Sequence, residues 1–392
     1  MRQLFLAATG QNRGKTTTSL GLLNGFRRRG YNTGFMKPVG QRTIIADGQV
    51  TDDDSYLMKQ VFDLPDPYWA MSPAHIPRGY TKAYLGGQPV EDLIAKIGPA
   101  QRYFADHDVL LAEGTGHAGV GAVVGLSNAV VARMMGAPAV IVSEGGVGRP
   151  IDEIVLNASH FAAHGVPVAG AIVNKVRLDE QPGIETFLER GLAHHGIPLL
   201  GVLPYRPILS NPTLAMILEG TDAEVIHAGS DPDRVVGRIA IGAMEPTHLV
   251  EKVLTRDTLV IVPGDREDII LTLAAAQVSD RFHALPATVE QIDALVEETP
   301  GAIDAGPEAK VLGILLTGGY SPRPEVEDLV NQAGMFCARL PGDTYTVANQ
   351  VHDILVKTHA ADLGKIEMIK DLVWEHLFFD RFLEVATEAR LS

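Results

Sequence analysis

The chain has one cysteine, Cys337, in 392 residues. That excludes an intramolecular disulfide and any multi-cysteine metal site, and it fits a reducing compartment. Cys337 reads as a small core residue rather than a reactive thiol. No apolar run approaches the roughly 20 residues that a membrane span needs. The opening MRQLFLAATG has one basic residue and a short apolar stretch running into a glycine loop. It is too short and wrongly flanked for a secretory signal and reads as a buried strand. Positive charge is scarce: 33 Lys and Arg stand against 48 Asp and Glu, a formal net charge of −15. Such a surface repels polyanions. The one basic cluster, Arg27, Arg28 and Arg29, falls at an expected helix end, where cations suit the dipole. These absences set aside nucleic acid and membrane as partners and lead to the expectation of a cytoplasmic protein. Internal repeats and low-complexity segments are also missing.

What is present is a strand–helix alternation. At 392 residues the chain has room for two or three domains of roughly 100–200 residues each. From residue 3 to about 204 short apolar runs (LFLAAT, TGFMKPV, DVLLAEG, PAVIVSEG, VAGAIVNKV, PLLGVLP) alternate with helix-length segments such as 17–29 and 151–164. Runs apolar on both faces predict a mainly parallel α/β sheet covered by helices. We expect this first domain over 1–210. A smaller α/β domain follows over 211–350, with strands AEVIHAG, TLVIVPGDRED, FHALPATVE and VLGILLTGGYSP and a helix over 325–333. Residues 297–307 read as an exposed loop. In the tail, 351–392, Ile366, Ile369, Leu372, Val373 and Leu377 fall near helical spacing, which predicts helices packed on the second domain.

The string TGQNRGKTT, residues 9–17, follows the first strand and opens a helix. Its spacing T-x-x-x-x-G-K-T fits a phosphate-binding loop with Thr9 in the place of the leading glycine. Gly10 and Gly14 let backbone N–H groups close around phosphate oxygens, with Gln11, Asn12 and Arg13 between them. Lys15 brings a charge to the β and γ phosphates, Thr16 a hydroxyl for Mg²⁺, and Thr17 continues the helix start. Such a loop needs carboxylates for its metal. Glu113 ends the run DVLLAEG, where a strand's carboxyl end points into the ligand crevice of this kind of sheet. Asp52, Asp53 and Asp54 form the other acidic group, and they also suit a helix N-cap. Lys37 closes an apolar strand and is placed for an anionic substrate or the γ-phosphate. Asn174, followed by Lys175, ends GAIVNK, where an amide can meet a purine edge. The turn SEGGVG lies between Glu144 and Asp152 and reads either as a strand-to-helix loop or as a segment that responds to nucleotide.

On these residues the chain resembles the dethiobiotin synthetase-like group of P-loop proteins. The carriers are TGQNRGKTT, MKPVGQ, DDDSYLMK, LAEGTGH, VIVSEGGVGRPIDEIVLN, IVNKV and LLGVLPY, spanning residues 1 to about 210. The likeness is closer still to the matching N-terminal region of long bacterial phosphate acetyltransferases. It implies that Lys15 and Thr16 contact phosphates and Mg²⁺, that Asp54 and Glu113 assist the metal, that Lys37 attends a reacting carboxyl or carbamate, and that Asn174 meets adenine. Residues 213–350 resemble the DRTGG domain through Gly264-Asp265-Arg266, Thr317-Gly318-Gly319 and Asp343-Thr344-Tyr345-Thr346. In long phosphate acetyltransferases this domain precedes the catalytic one, so acetyltransferase activity is not expected of these residues. The stretch GHAGVGAVVGLSN does not match the synthetases' substrate segment, which argues against dethiobiotin as product.

Two functions follow as expectations. One is an ATPase or ATP-dependent ligase-like enzyme using Mg²⁺, in which Lys15, Lys37 and Glu113 carry the chemistry on a small carboxylate or amine. The other is a nucleotide sensor whose second domain dimerises or binds a ligand; the expected assembly is a homo-oligomer, a dimer in the simplest case. A partitioning-type ATPase wants a second lysine early in the loop, and position 10 is glycine.

Overall fold

The computed structural model describes all residues except 179, 230, 253–256, 279–310, 355, 357 and 389–392. The expected strand FHALPATVE and the expected loop 297–307 lie outside the described residues. The chain divides into two compact units, Met1–Arg206 with Thr358–Ser392, and Pro207–Lys357.

The first unit begins with β1 (Arg2–Ala8), a loop, and α1 (Lys15–Arg28). Leu4 to Ala8 are buried, as expected of a strand apolar on both faces. Then come β2 (Thr33–Met36), the hairpin β3 (Thr43–Ala46) and β4 (Gln49–Asp52), and α2 (Asp53–Phe62). The hairpin is not among the expected elements; it turns on Asp47 and Gly48, both at positive φ (50° and 71°), as a two-residue turn requires. The unit continues with β5 (Val109–Glu113), α3 (Asn128–Met135), β6 (Ala139–Glu144), α4 (Gly148–Ala163), β7 (Val168–Val176), α5 (Ile184–Ala193) and β8 (Leu199–Pro204).

Strands β1, β2 and β5 to β8 form one parallel sheet in the order β8-β7-β6-β1-β5-β2. From β1 the chain steps over to β2, returns to β5 beside β1, then crosses to β6 on the other side. The winding therefore reverses at β1, and the crevice outside the carboxyl ends of β1, β5 and β6 is the ligand position such a sheet provides.

In the second unit α6 (Leu214–Gly220) precedes β9 (Glu224–His227) and β10 (Arg238–Ile241), followed by α7 (Pro246–Lys252), β11 (Thr258–Pro263), α8 (Glu267–Val278), β12 (Val311–Thr317), α9 (Pro324–Gln332), β13 (Phe336–Arg339) and α10 (Thr344–His352). The sheet order is β9-β13-β12-β11-β10, parallel except for β9. Alternate strand residues feed two cores, one holding Val260, Leu316, Ile270 and Val330, the other Ile261, Leu315, Val347 and Leu214. The unit is thus a smaller α/β domain with both sheet faces covered.

The tail forms α11 (Leu363–His376) and α12 (Phe379–Glu388). Its helices are as expected, but their place is not: they pack on the first unit. Gly21 and Gly25 of α1 make the seat. A Cβ on Gly21 would lie 2.1 Å from Val373 Cβ, and one on Gly25 2.0 Å from the Phe379 ring. Arg28 and Arg29 pair with Asp371 and Asp380 around it. Helical periodicity shows that an element has an apolar face and says nothing of its partner. Among the described residues no helix is long and apolar enough to cross a membrane.

Candidate nucleotide-binding site

The loop 9–14 leaves β1 and enters α1 through Gly14, whose φ of +94° is the left-handed geometry that glycine supplies at least strain. Two neighbours on β7 hold it. Asn174 Nδ2 donates to the Arg13 carbonyl at 3.0 Å, and Lys175 Nζ to the Asn12 carbonyl at 2.9 Å. In a trans peptide the C=O of one residue and the N–H of the next point in opposite directions. Anchoring these carbonyls on β7 therefore turns the N–H groups of Arg13 and Gly14 away from it, as an anion-binding nest needs. The first turn of α1 adds the free N–H groups of a helix start. The amide of Asn174, expected at a purine edge, here shapes the loop. A Cβ on Gly14 would fall 1.9 Å from its Nδ2, so the two positions are fitted to each other.

Beneath the loop, Lys37, Asp54, Glu113 and Thr16 come together. Lys37 Nζ lies 2.6 Å from Asp54 Oδ2 and 2.8 Å from Glu113 Oε1. Thr16 Oγ1 donates to Asp54 Oδ1 at 3.0 Å, and Ser19 Oγ to Glu113 Oε2 at 2.6 Å. Lys37 and Glu113 are buried. Burial works against the Lys37 ammonium, but Asp54 and Glu113 outweigh it and raise its pKa above the ordinary lysine value. The two carboxylates are pushed apart. Burial opposes the charge on Asp54, yet Lys37 and the hydrogen bonds from Lys37 and Thr16 hold it down at about 2. Glu113 is 1% exposed, and there burial prevails over Lys37 and raises it to about 7. Asp54 is thus the fixed anion of the pair, while burial drives Glu113 towards its neutral form. Burial and the nearby Lys37 lower half-buried Lys15 to about 8. Of the three adjacent aspartates, Asp52 caps α2, accepting from Asp54 N at 3.1 Å, and Asp54 faces the site.

Thr9 keeps its side chain out of the loop's interior: Oγ1 donates to Glu153 Oε2 at 2.9 Å and meets Ser143 Oγ at 3.0 Å. Arg13 pairs with Glu144. Gln11 and Asn12 are exposed, and Gly10, Thr16 and Thr17 are half-buried. Beside the loop, the segment after β5, whose Gly116 carbonyl accepts from Ala8 N at 3.1 Å, is clamped by two side-chain amides. Asn128 Oδ1 accepts from Thr115 N while its Nδ2 donates to the carbonyls of Thr115 and His117. Asn157 Oδ1 accepts from Ala118 N. Sequence reasoning missed Asn128, Asn157, Glu153 and the link from Ser19. Only Ser19 left a signal, lying one helical turn after Thr16 and so on the same face of α1.

The donor set suits magnesium. A hard cation of this kind is held by one or two carboxylates together with phosphate oxygens, and Thr16 and Asp54 present a hydroxyl and an ionised carboxylate side by side, with Glu113 next to them. Among the described residues no cluster of three or more His, Cys, Asp or Glu stands ready to hold a metal by protein groups alone.

In the second unit the DRTGG-like residues knit strand ends together. Gly264 N donates to the Thr317 carbonyl (3.1 Å), Gly318 N to that of Gly342 (2.7 Å), and the hydroxyls of Thr317 and Thr344 meet at 2.8 Å. A Cβ on Gly264 would lie 2.0 Å from the Tyr320 carbonyl oxygen. Asp343 caps α10.

Comparison with known proteins agrees with this layout. The phosphate acetyltransferase of Pseudomonas putida is 30% identical over 96% of this chain and 51% of that protein. That of Pseudomonas aeruginosa is 27% identical over 97% and 51%. The chain thus spans about half the length of the curated relatives it matches. Among solved structures, the cell division ATPase MinD of Pyrococcus furiosus aligns over 53% of this chain and 86% of its own, with a TM-score of 0.33 and 17% identity. Residues 216–354 match the DRTGG domain. Residues 2–213, more than half of the chain, match the AAA domain, and the chain belongs to that P-loop family, with a DRTGG domain behind it.

Proposed function

We propose that the first unit binds Mg-ATP and uses it in phosphoryl transfer, as an ATPase or a ligase-like enzyme acting on a small carboxylate, carbamate or amine. The observation that supports this most is the buried Lys37, held between Asp54 and Glu113 at 2.6 and 2.8 Å directly below the loop. A lysine is costly to bury, and this one lies where charge spreads when a phosphoryl group moves. In this reading Gly10, Gly14 and the N–H groups of residues 10–16 cradle the phosphates, Lys15 neutralises their charge, and Thr16 and Asp54 hold Mg²⁺. The metal supplies charge neutralisation across the phosphate oxygens. Lys37 then orients an anionic acceptor, and Ser19 fixes Glu113. Asn174 and Lys175 keep the loop in its binding shape.

The second reading, a nucleotide sensor with little turnover and a second unit that dimerises or binds a ligand, is favoured by the DRTGG match. Calorimetry with Mg-ATP and phosphate release in pools of amines and carboxylates with bicarbonate separate the two. Stimulation by orders of magnitude in one pool supports the enzyme; tight binding with negligible turnover in every pool supports the sensor. Lys15→Ala is expected to abolish both binding and the stabilisation that a saturating ligand confers, about 2.7 kcal/mol at a hundredfold excess over Kd. Unchanged affinity in that variant would refute the site.

A further inference from the structure

Two cations of the loop region are held by one carboxylate. Arg13 pairs with Glu144, the last residue of β6, and Glu144 Oε2 also lies 2.9 Å from Lys175 Nζ without a well-directed hydrogen bond. The second arm of Arg13 approaches Glu153 Oε1 at 3.6 Å, an oxygen already bonded by Arg149 at 2.7 Å. Arg13 Nε is buried and has no hydrogen-bond partner among the described residues. It lies beside Gly10, where a Cβ would sit 3.2 Å away. A buried donor without an acceptor is unfavourable, and a planar guanidinium next to a phosphate loop is built for an oxyanion. Little packs on the turn that carries Glu144: a Cβ on Gly145 or Gly148 would meet no atom within 4 Å, and one on Gly146 only the end of the Gln181 side chain, at 3.4 Å. Its carboxylate can therefore leave without repacking a core.

We propose that Arg13 and Lys175 form a second anion site beside the one made by residues 10–16. Glu144 fills it as an internal counter-anion until an incoming polyphosphate displaces it. This rests on the nucleotide-binding reading and adds to it a residue that opposes binding. It sets a threshold that a ligand must exceed in negative charge.

The test is calorimetric titration of the full chain with Mg-ATP and with tripolyphosphate. Glu144→Gln is expected to tighten both roughly tenfold, the scale of losing one partly desolvated competing ion pair. Arg13→Gln should weaken both, and Glu144→Gln should give no gain in the Arg13→Gln background, because the two act as one unit. Glu144→Asp, with a shorter reach, should tighten binding by a smaller factor, and it decides the matter if the glutamine variant does not fold. Weaker or unchanged binding in these glutamate variants overturns the proposal and makes Glu144 a scaffold for Arg13. The nucleotide reading is judged separately. If the wild type binds and Lys15→Ala does not, that reading stands whatever Glu144 does. Absence of binding by the wild type brings down both.

Discussion

Lys37 shows how a single charge organises this site. With Lys37 replaced by methionine, Asp54 and Glu113 face each other with no cation between them, and Glu113 is 1% exposed. Breaking a buried pair by removing one partner costs about 3–5 kcal/mol, since the other charge stays behind. Lys37→Met is therefore expected to lower denaturation stability on that scale. Adding Asp54→Asn should recover part of the loss, because the orphaned charge goes with it. An additive double variant would show that the pairing seen here contributes little. Cys337 is the opposite case, a group that burial keeps silent. Burial, with a smaller contribution from Glu327, pushes its thiol up to about 12 from 9. At pH 8 that leaves roughly a thousandfold less thiolate than an ordinary thiol has. A thiol reagent should label the native chain slowly and the denatured chain completely. The sign for stability follows. A group whose pKa is raised on folding stabilises fully below its unfolded value of 9, and that contribution fades as pH climbs towards 12. Rapid labelling of the native chain at pH 8 would contradict this burial.

Among the elements, α1 connects the phosphate loop to the tail, and its glycines explain how. Gly21 and Gly364 are both helical, yet the same change should act on them with opposite sign. Alanine favours a helix by up to about 1 kcal/mol over glycine. At exposed Gly364 a Cβ meets nothing within 4 Å, so Gly364→Ala should stabilise by roughly 0.4–1 kcal/mol. At Gly21 it would lie 2.1–2.3 Å from three Val373 atoms, and overpacking of about 1–3 kcal/mol should outweigh the propensity gain. Melting curves of the two variants decide it; stabilisation by both would mean that the tail yields easily. These same elements show what the sequence disclosed. The strands of the first sheet were legible because runs buried on both faces have few other readings. That Lys37, Asp54 and Glu113 would meet could be expected because each lies at or next to the end or start of an element at the crevice. The clamps from Asn128 and Asn157 could not, since an asparagine within a helix carries no mark of the loop it will hold. The hairpin with exposed Ile45 and Val50 lacks the alternation that announces a half-buried strand.

On the scale of the whole molecule, the chain leaves the first unit at Arg206 and returns to it at Thr358. The nucleotide-binding unit is therefore finished by residues that follow the DRTGG domain. Buried Ile366, Ile369, Val373, Leu377, Phe379 and Phe382 come from that return, and Phe379 and Phe382 stack edge-on against Phe26 of α1 at 5.8 and 6.5 Å. Each large apolar side chain contributes about 1.5–3 kcal/mol when fully buried. Their gross sum is comparable with the whole stability of a typical domain, about 5–15 kcal/mol. The entropy of ordering the two helices offsets much of it, and a loss of several kcal/mol remains. A chain ending at Lys357 is thus expected to keep the cooperative transition of the second unit and to lose or sharply lower that of the first, and Mg-ATP should no longer stabilise it at room temperature. Urea unfolding of the full and shortened chains, followed by circular dichroism with and without Mg-ATP, tests this. If the shortened chain retained the first transition at its original midpoint, the tail would be a covering of the P-loop domain rather than part of its core.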